Sequence, residues 1–175
     1  MSRIVFECLK CGNCCRHLFE EGEKFGVIGP TLFSKETKLF PSKFISPQLG
    51  VGLNKRGTGP KHVVLYQLNV DTCPHLSENN ECGIHQERPL TCRSFPTSFK
   101  SFDSNKSFKC RFMQEKGPKE REQLVFPPFL YAPEEIEAYK KFKEARRKLF
   151  QEYPYFVTRV LWVFDLETKK WVRST

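Results

Sequence analysis

The chain has 175 residues, enough for one substantial hydrophobic core and too few for two large ones. With 39% hydrophobic residues, 28% charged residues and 17 Phe, the composition excludes a disordered tail. Against 20 Asp and Glu stand 29 Lys and Arg, a formal charge of +9 that draws the surface towards polyanions such as nucleic acid.

Taken in chain order, Ile4–Phe6 reads as a short strand leading into CLKCGNCCRH, Cys8 to His17, where Gly12 supplies the backbone freedom of a tight loop. Residues 20–60 read as connection plus one short helix, with Ser34 capping SKETKLF before Pro41 stops it. Gly50–Pro60 is rich in Gly and Pro and reads as a loop, and the β-branched run His62–Val70 reads as a strand delivering Cys73. Cys73–Cys92 is dense in turn formers and has no helical or strand period. Residues 98–110 suggest a hairpin that returns Cys110 to the other thiols.

Pro133, Glu134 and Glu135 are a good helix start, and Ile136, Tyr139, Phe142, Leu149 and Phe150 recur at helical spacing up to Pro154. The clustered cations at residues 140–148 then read as a solvated helix face, with nucleic-acid contact as the alternative. Phe156–Phe164 and Lys170–Val172, joined by DLETK, suggest a closing hairpin. The expected class is a small, loop-rich α+β metal-binding domain with short β-hairpins and a C-terminal amphipathic helix. Residues 1–115 form the cysteine-cluster part, and residues 116–175 a helix and hairpin packed on the same domain.

The longest apolar run, Val160–Phe164, is far below the roughly 18 residues of a membrane helix, so no membrane is expected. The opening MSRIVFECLK lacks the apolar segment of a secretory signal, which gives a cytoplasmic expectation. A reducing compartment turns the eight cysteines, Cys8, Cys11, Cys14, Cys15, Cys73, Cys82, Cys92 and Cys110, into evidence for metal rather than disulfides.

Cys8-x2-Cys11-x2-Cys14 has the spacing with which one loop gives three thiolates to a [4Fe-4S] cluster, leaving the fourth ligand to Cys73, Cys82, Cys92 or Cys110. Zn2+ is the alternative, but zinc ribbons usually offer two short chelating pairs and the second half here has none. Cys14 and Cys15 should diverge if the chain is extended there, which assigns one of them a second role. His17, His75 and His85 lie near cysteines and are further candidate donors. A Cys15–His17 nucleophile can be written down, yet no third member or substrate pocket is visible, and no catalytic residue is assigned.

CLKCGNCCR together with CPHLSENNECGIHQERPLTCRSFP, Cys73 to Pro96, resembles the YkgJ-like CxxCxxCC cysteine-cluster family of zinc- or iron-chelating domains. The family pattern pairs CGxCCR with a later Cys, Cys-x-Ile-Tyr, Arg-Pro and Cys-Arg-x-Phe-Pro. His85 stands where the family usually shows Tyr, and the resemblance spans Cys8 to Cys110. It implies that the eight cysteines are metal ligands. A related domain in flagellin lysine N-methylases implies a protein lysine-methylation enzyme as a further alternative, although no S-adenosylmethionine site is recognisable.

A thiolate-bound cluster carries negative charge, and Arg88 and Arg93 are the candidate cofactor-binding cations that would offset it through N–H···S bonds. The expected function is therefore metal binding, with an iron–sulfur cluster serving electron transfer, redox sensing or another reaction on an unidentified redox or protein partner. The alternative is a zinc-organised module that binds RNA or an acidic protein.

Overall fold

A computed structural model describes residues 8–22, 24–95, 111–115, 133–153 and 160–174. The expected strand at Ile4–Phe6, the expected hairpin over residues 98–110 with its Cys110, and the expected start of the closing hairpin at Phe156 lie outside them. The fold is α+β, with seven short strands and three α-helices among the described residues.

By its internal contacts the chain sorts into two compact units, Met1–Arg16 with His75–Glu144, and His17–Pro74 with Ala145–Thr175. The second unit is built on an antiparallel sheet in the order β3-β5-β4-β6-β7: β3 is Thr31–Leu32, β4 Ile45–Val51, β5 His62–Leu68, β6 Leu161–Asp165 and β7 Lys170–Ser174. A separate two-stranded ribbon pairs β1, Glu20–Gly22, with β2, Gly26–Ile28. Leu32, Val51, Val64, Leu65, Leu68, Trp162 and Leu166 are buried on these strands and their turns. Each such side chain contributes on the order of 1.5–3 kcal/mol when removed from water.

The expected strand at His62 and the expected closing hairpin are both present, the latter pairing Leu161 with Ser174 through Asp165 with Lys170. The reading of residues 20–60 as mostly connection is corrected, because they hold β1, β2, β3 and β4. Pro47 and Gly50 conceal β4, and register shifts occur between Pro47 and Leu49 and between Leu49 and Gly50. Pro47 is tolerated because β6 pairs only with Leu49–Val51, so the missing N–H removes no bond from that ladder. Phe33, not Ser34, occupies the N-cap of the 3₁₀ helix Ser34–Leu39, and the Glu36 carboxylate accepts from its N–H at 2.8 Å.

Two buried amides tie β3, β4 and β5 together. Gln67 is fully buried; its Oε1 accepts from Gly29 N at 2.8 Å, and its Nε2 donates to Pro47 O at 2.7 Å and Phe164 O at 3.0 Å. Gln48 Nε2 donates to Gly29 O at 2.9 Å, and its Oε1 accepts from Thr31 Oγ1 at 2.8 Å. The backbone of Gly29 is thus held on both sides. It also approaches β5 so closely that a Cβ there would stand 1.9 Å from Leu68 O.

Helices α1, Leu90–Arg93, and α2, Arg111–Glu115, lie in the first unit. The expected amphipathic helix is present as α3, Pro133–Gln151, with Glu134 and Glu135 in its first turn and Lys148 in its last, as the helix dipole favours. Ala138 is buried, while Ile136, Tyr139, Phe142, Leu149 and Phe150 are half-buried. Glu137 and Lys141 pair across one turn at 3.4 Å. No helix among the described residues is long and apolar enough to cross a membrane.

Candidate metal centre

The first thiol loop is bent by residues in left-handed conformations: Lys10 at φ 48°, Gly12 at φ 71° and His17 at φ 50°. For Lys and His that conformation costs about 1–2 kcal/mol each, so the surroundings must hold the loop in place. Between the bends, Asn13–Cys15 forms one 3₁₀ turn, closed by Cys15 N–H donating to Gly12 O at 2.9 Å and Arg16 N–H to Asn13 O at 3.2 Å. The chain is curled rather than extended there, so the condition under which Cys14 and Cys15 would diverge is not met. Their Sγ atoms stand 4.0 Å apart.

The second thiol segment makes a small hairpin of its own. Leu76 and Cys82 form an isolated antiparallel bridge, Gly83 N–H donates to His75 O at 2.8 Å, and Ser77 N–H to Glu81 O at 2.9 Å. Asn80, at φ 63°, sits at the tip; Asn tolerates this region better than most residues. Cys82 is thereby set on the ladder of a tight turn.

Arg16 fastens the two segments together. Its Nη1 donates to Cys11 O at 3.2 Å and its Nη2 to Asn80 Oδ1 at 2.5 Å. A Cβ on residue 12 would stand 2.6 Å from Arg16 Nη1 and 3.1 Å from Asn80 Oδ1, so the latch requires glycine there for space as well as for φ. An exposed pair, Lys10 Nζ with Glu81 Oε1 at 3.6 Å, crosses the same junction and adds little. Sequence reasoning missed Arg16 and Asn80. Arg16 closes CGNCCR, and the signal for Asn80 is an Asn-Asn pair at the tip of a turn-rich segment.

Cations gather beside these loops. The His85 pKa is lowered, first by burial and then by the neighbouring positive charges of Arg88 and Lys10, with Glu134 opposing. Arg88 Nε donates to His85 O at 2.8 Å, and Arg93 lies half-buried at the end of α1, its N–H bonded to Pro89 O. His17 Nδ1 stands 3.5 Å from Asp71 Oδ2.

Cys8 and Cys14 are exposed, and Cys11, Cys15, Cys73, Cys82 and Cys92 half-buried; Cys110 lies outside the described residues. Cys8, Cys11, Cys14, Cys15, Cys82 and Cys92 belong to the first unit and Cys73 to the second. Among the described residues no three His, Cys, Asp or Glu side chains stand close enough together to hold a metal ion. The donor chemistry nevertheless fits a thiophilic metal. The Cys14–Cys15 sulfur pair also has the separation that two ligands of a single ion require.

A loop of closely spaced cysteines latched onto a second cysteine-bearing turn makes this a cysteine-cluster domain. The family model CxxCxxCC, described as "Putative zinc- or iron-chelating domain", matches residues 7–111, and the chain belongs to that family. Comparison with curated proteins and with solved structures found no match.

Proposed function

We propose that the chain holds a thiolate-bound transition-metal centre between the Cys8–Cys15 loop and the Cys82 hairpin, and that this centre serves electron transfer or redox sensing in the cytoplasm. The observation that carries the reading is the Arg16 latch, which joins two segments whose shared chemical feature is cysteine. The Cys-x2-Cys-x2-Cys spacing supports a [4Fe-4S] cluster with a remote fourth thiolate. When bound, such a cluster supplies one-electron chemistry. The chain's own part is to hold the thiolates, and to balance their charge with Lys10, Arg16, Arg88 and Arg93.

A second reading, a single zinc ion organising a binding module, is favoured by the 4.0 Å approach of Cys14 and Cys15. The +9 charge then supports RNA or an acidic protein as partner. Metal and acid-labile sulfide analysis of the anaerobically purified chain decides between them. Iron with equimolar sulfide and broad visible absorbance supports the cluster; stoichiometric zinc in a colourless protein supports the module. A folded chain that holds neither metal defeats both readings.

A further inference from the structure

We propose that Cys14 and Cys15 act as one two-sulfur clamp that closes on a single thiophilic ion, a divalent d-block cation or trivalent arsenic. The proposal rests on the single-ion reading above, because it withdraws Cys14 from a Cys8–Cys11–Cys14 cluster set, and it specifies how two of the thiols are used. Metal–sulfur bonds of about 2.3 Å at a tetrahedral angle place two sulfurs about 3.8 Å apart, and a trigonal angle places them at about 4.0 Å. The Sγ separation of 4.0 Å already meets that requirement, so little movement is needed to bind.

Two other uses of adjacent thiols fit less well. A disulfide would have to bring the sulfurs to about 2.05 Å, and its Cα atoms are usually 4.4–6.8 Å apart, whereas residues joined by one trans peptide are held at about 3.8 Å. In a cubane cluster each iron takes one cysteine, so ligand sulfurs are separated by an iron–iron edge as well as two iron–sulfur bonds. The backbone supports the clamp directly. The left-handed Gly12 and the 3₁₀ turn it opens curl the chain beneath both thiols, and the Arg16 latch follows immediately. Cys14 is exposed and Cys15 half-buried.

Phenylarsine oxide is a probe for this geometry, since it needs two sulfurs on one atom. The arsenic–oxygen bond and two S–H bonds break, two As–S bonds form, one water leaves, and arsenic stays trivalent. The full chain, stripped of metal under reducing anaerobic conditions and given one equivalent, is expected to form a one-to-one adduct by intact mass spectrometry. That adduct should survive excess monothiol and be removed by a dithiol. Peptide mapping should place it on Cys14 and Cys15, and it should be lost in Cys14→Ser and in Cys15→Ser while persisting in Cys8→Ser. An adduct that maps elsewhere, or that persists at full yield in Cys15→Ser, overturns the clamp. Absence of any adduct on the wild-type chain overturns it as well. Stoichiometric native metal in the chain as purified, before stripping, shows that the metal-chelating reading stands even where the clamp has failed.

Discussion

Arg16 carries more of the site than its place at the end of a cysteine motif suggests. A charged donor reaching a carbonyl and an amide in a partly buried setting contributes about 1.5–3 kcal/mol, and a lysine cannot reproduce the two-pronged geometry. Arg16→Met should therefore weaken metal binding about tenfold or more in competition with a chromophoric chelator. Arg16→Lys should rescue only part of the loss. Asp165 is a second decisive side chain, 4% exposed. Its carboxylate accepts from Val27 N at 2.9 Å, Glu167 N at 3.0 Å and Thr168 Oγ1 at 2.5 Å. The Thr168 hydroxyl is the main cause of its lowered pKa, with burial opposing. A depressed carboxylate stabilises the fold above its unfolded pKa of about 3.9 and loses that contribution as pH falls towards the folded value. Urea midpoints should thus decline below about pH 4 in the wild type, and this part of the decline should vanish in Asp165→Asn, which starts less stable.

Among the elements, the segment around β3 and β4 shows what a sequence pattern can hide. The strand at His62 and helix α3 were legible because each has a sustained period and a clear boundary residue. β1 to β4 were not, because they are short or interrupted by Pro47 and Gly50, and their stability comes from partners distant in the chain. Gln67 and Gln48 supply part of that support, and no local rule points to a glutamine as a core residue. Gly29 is the corresponding negative constraint. Gly29→Ala should destabilise the protein by about 1–3 kcal/mol or more in urea unfolding, because Leu68 O occupies the space a methyl would need. A wild-type midpoint in that variant would contradict the close approach.

For the whole molecule, the division into two units separates most of the thiols from the main sheet. The candidate site was legible in the sequence as far as thiol spacing and the turn-forming Gly12 could show. The latch was not, because the contact between Arg16 and Asn80 spans 64 residues and neither member is a metal-type donor. Removing metal with a chelator should raise amide hydrogen exchange in the Cys8–Arg16 loop and the His75–Gly83 hairpin. Amides of β4, β5 and β6 should keep their protection, since the ladder and the buried glutamines hold those strands without thiols. Uniform loss of protection across the sheet would refute that independence.

The sheet's outer strand β7 has a further outcome for the behaviour of the protein in solution. It ends the sheet among the described residues and carries exposed Lys170 and Arg173, and like charges brought together there repel a second sheet seeking to add on. A concentrated preparation is therefore discouraged from growing ribbons along this border, and neutralising both side chains would remove that safeguard.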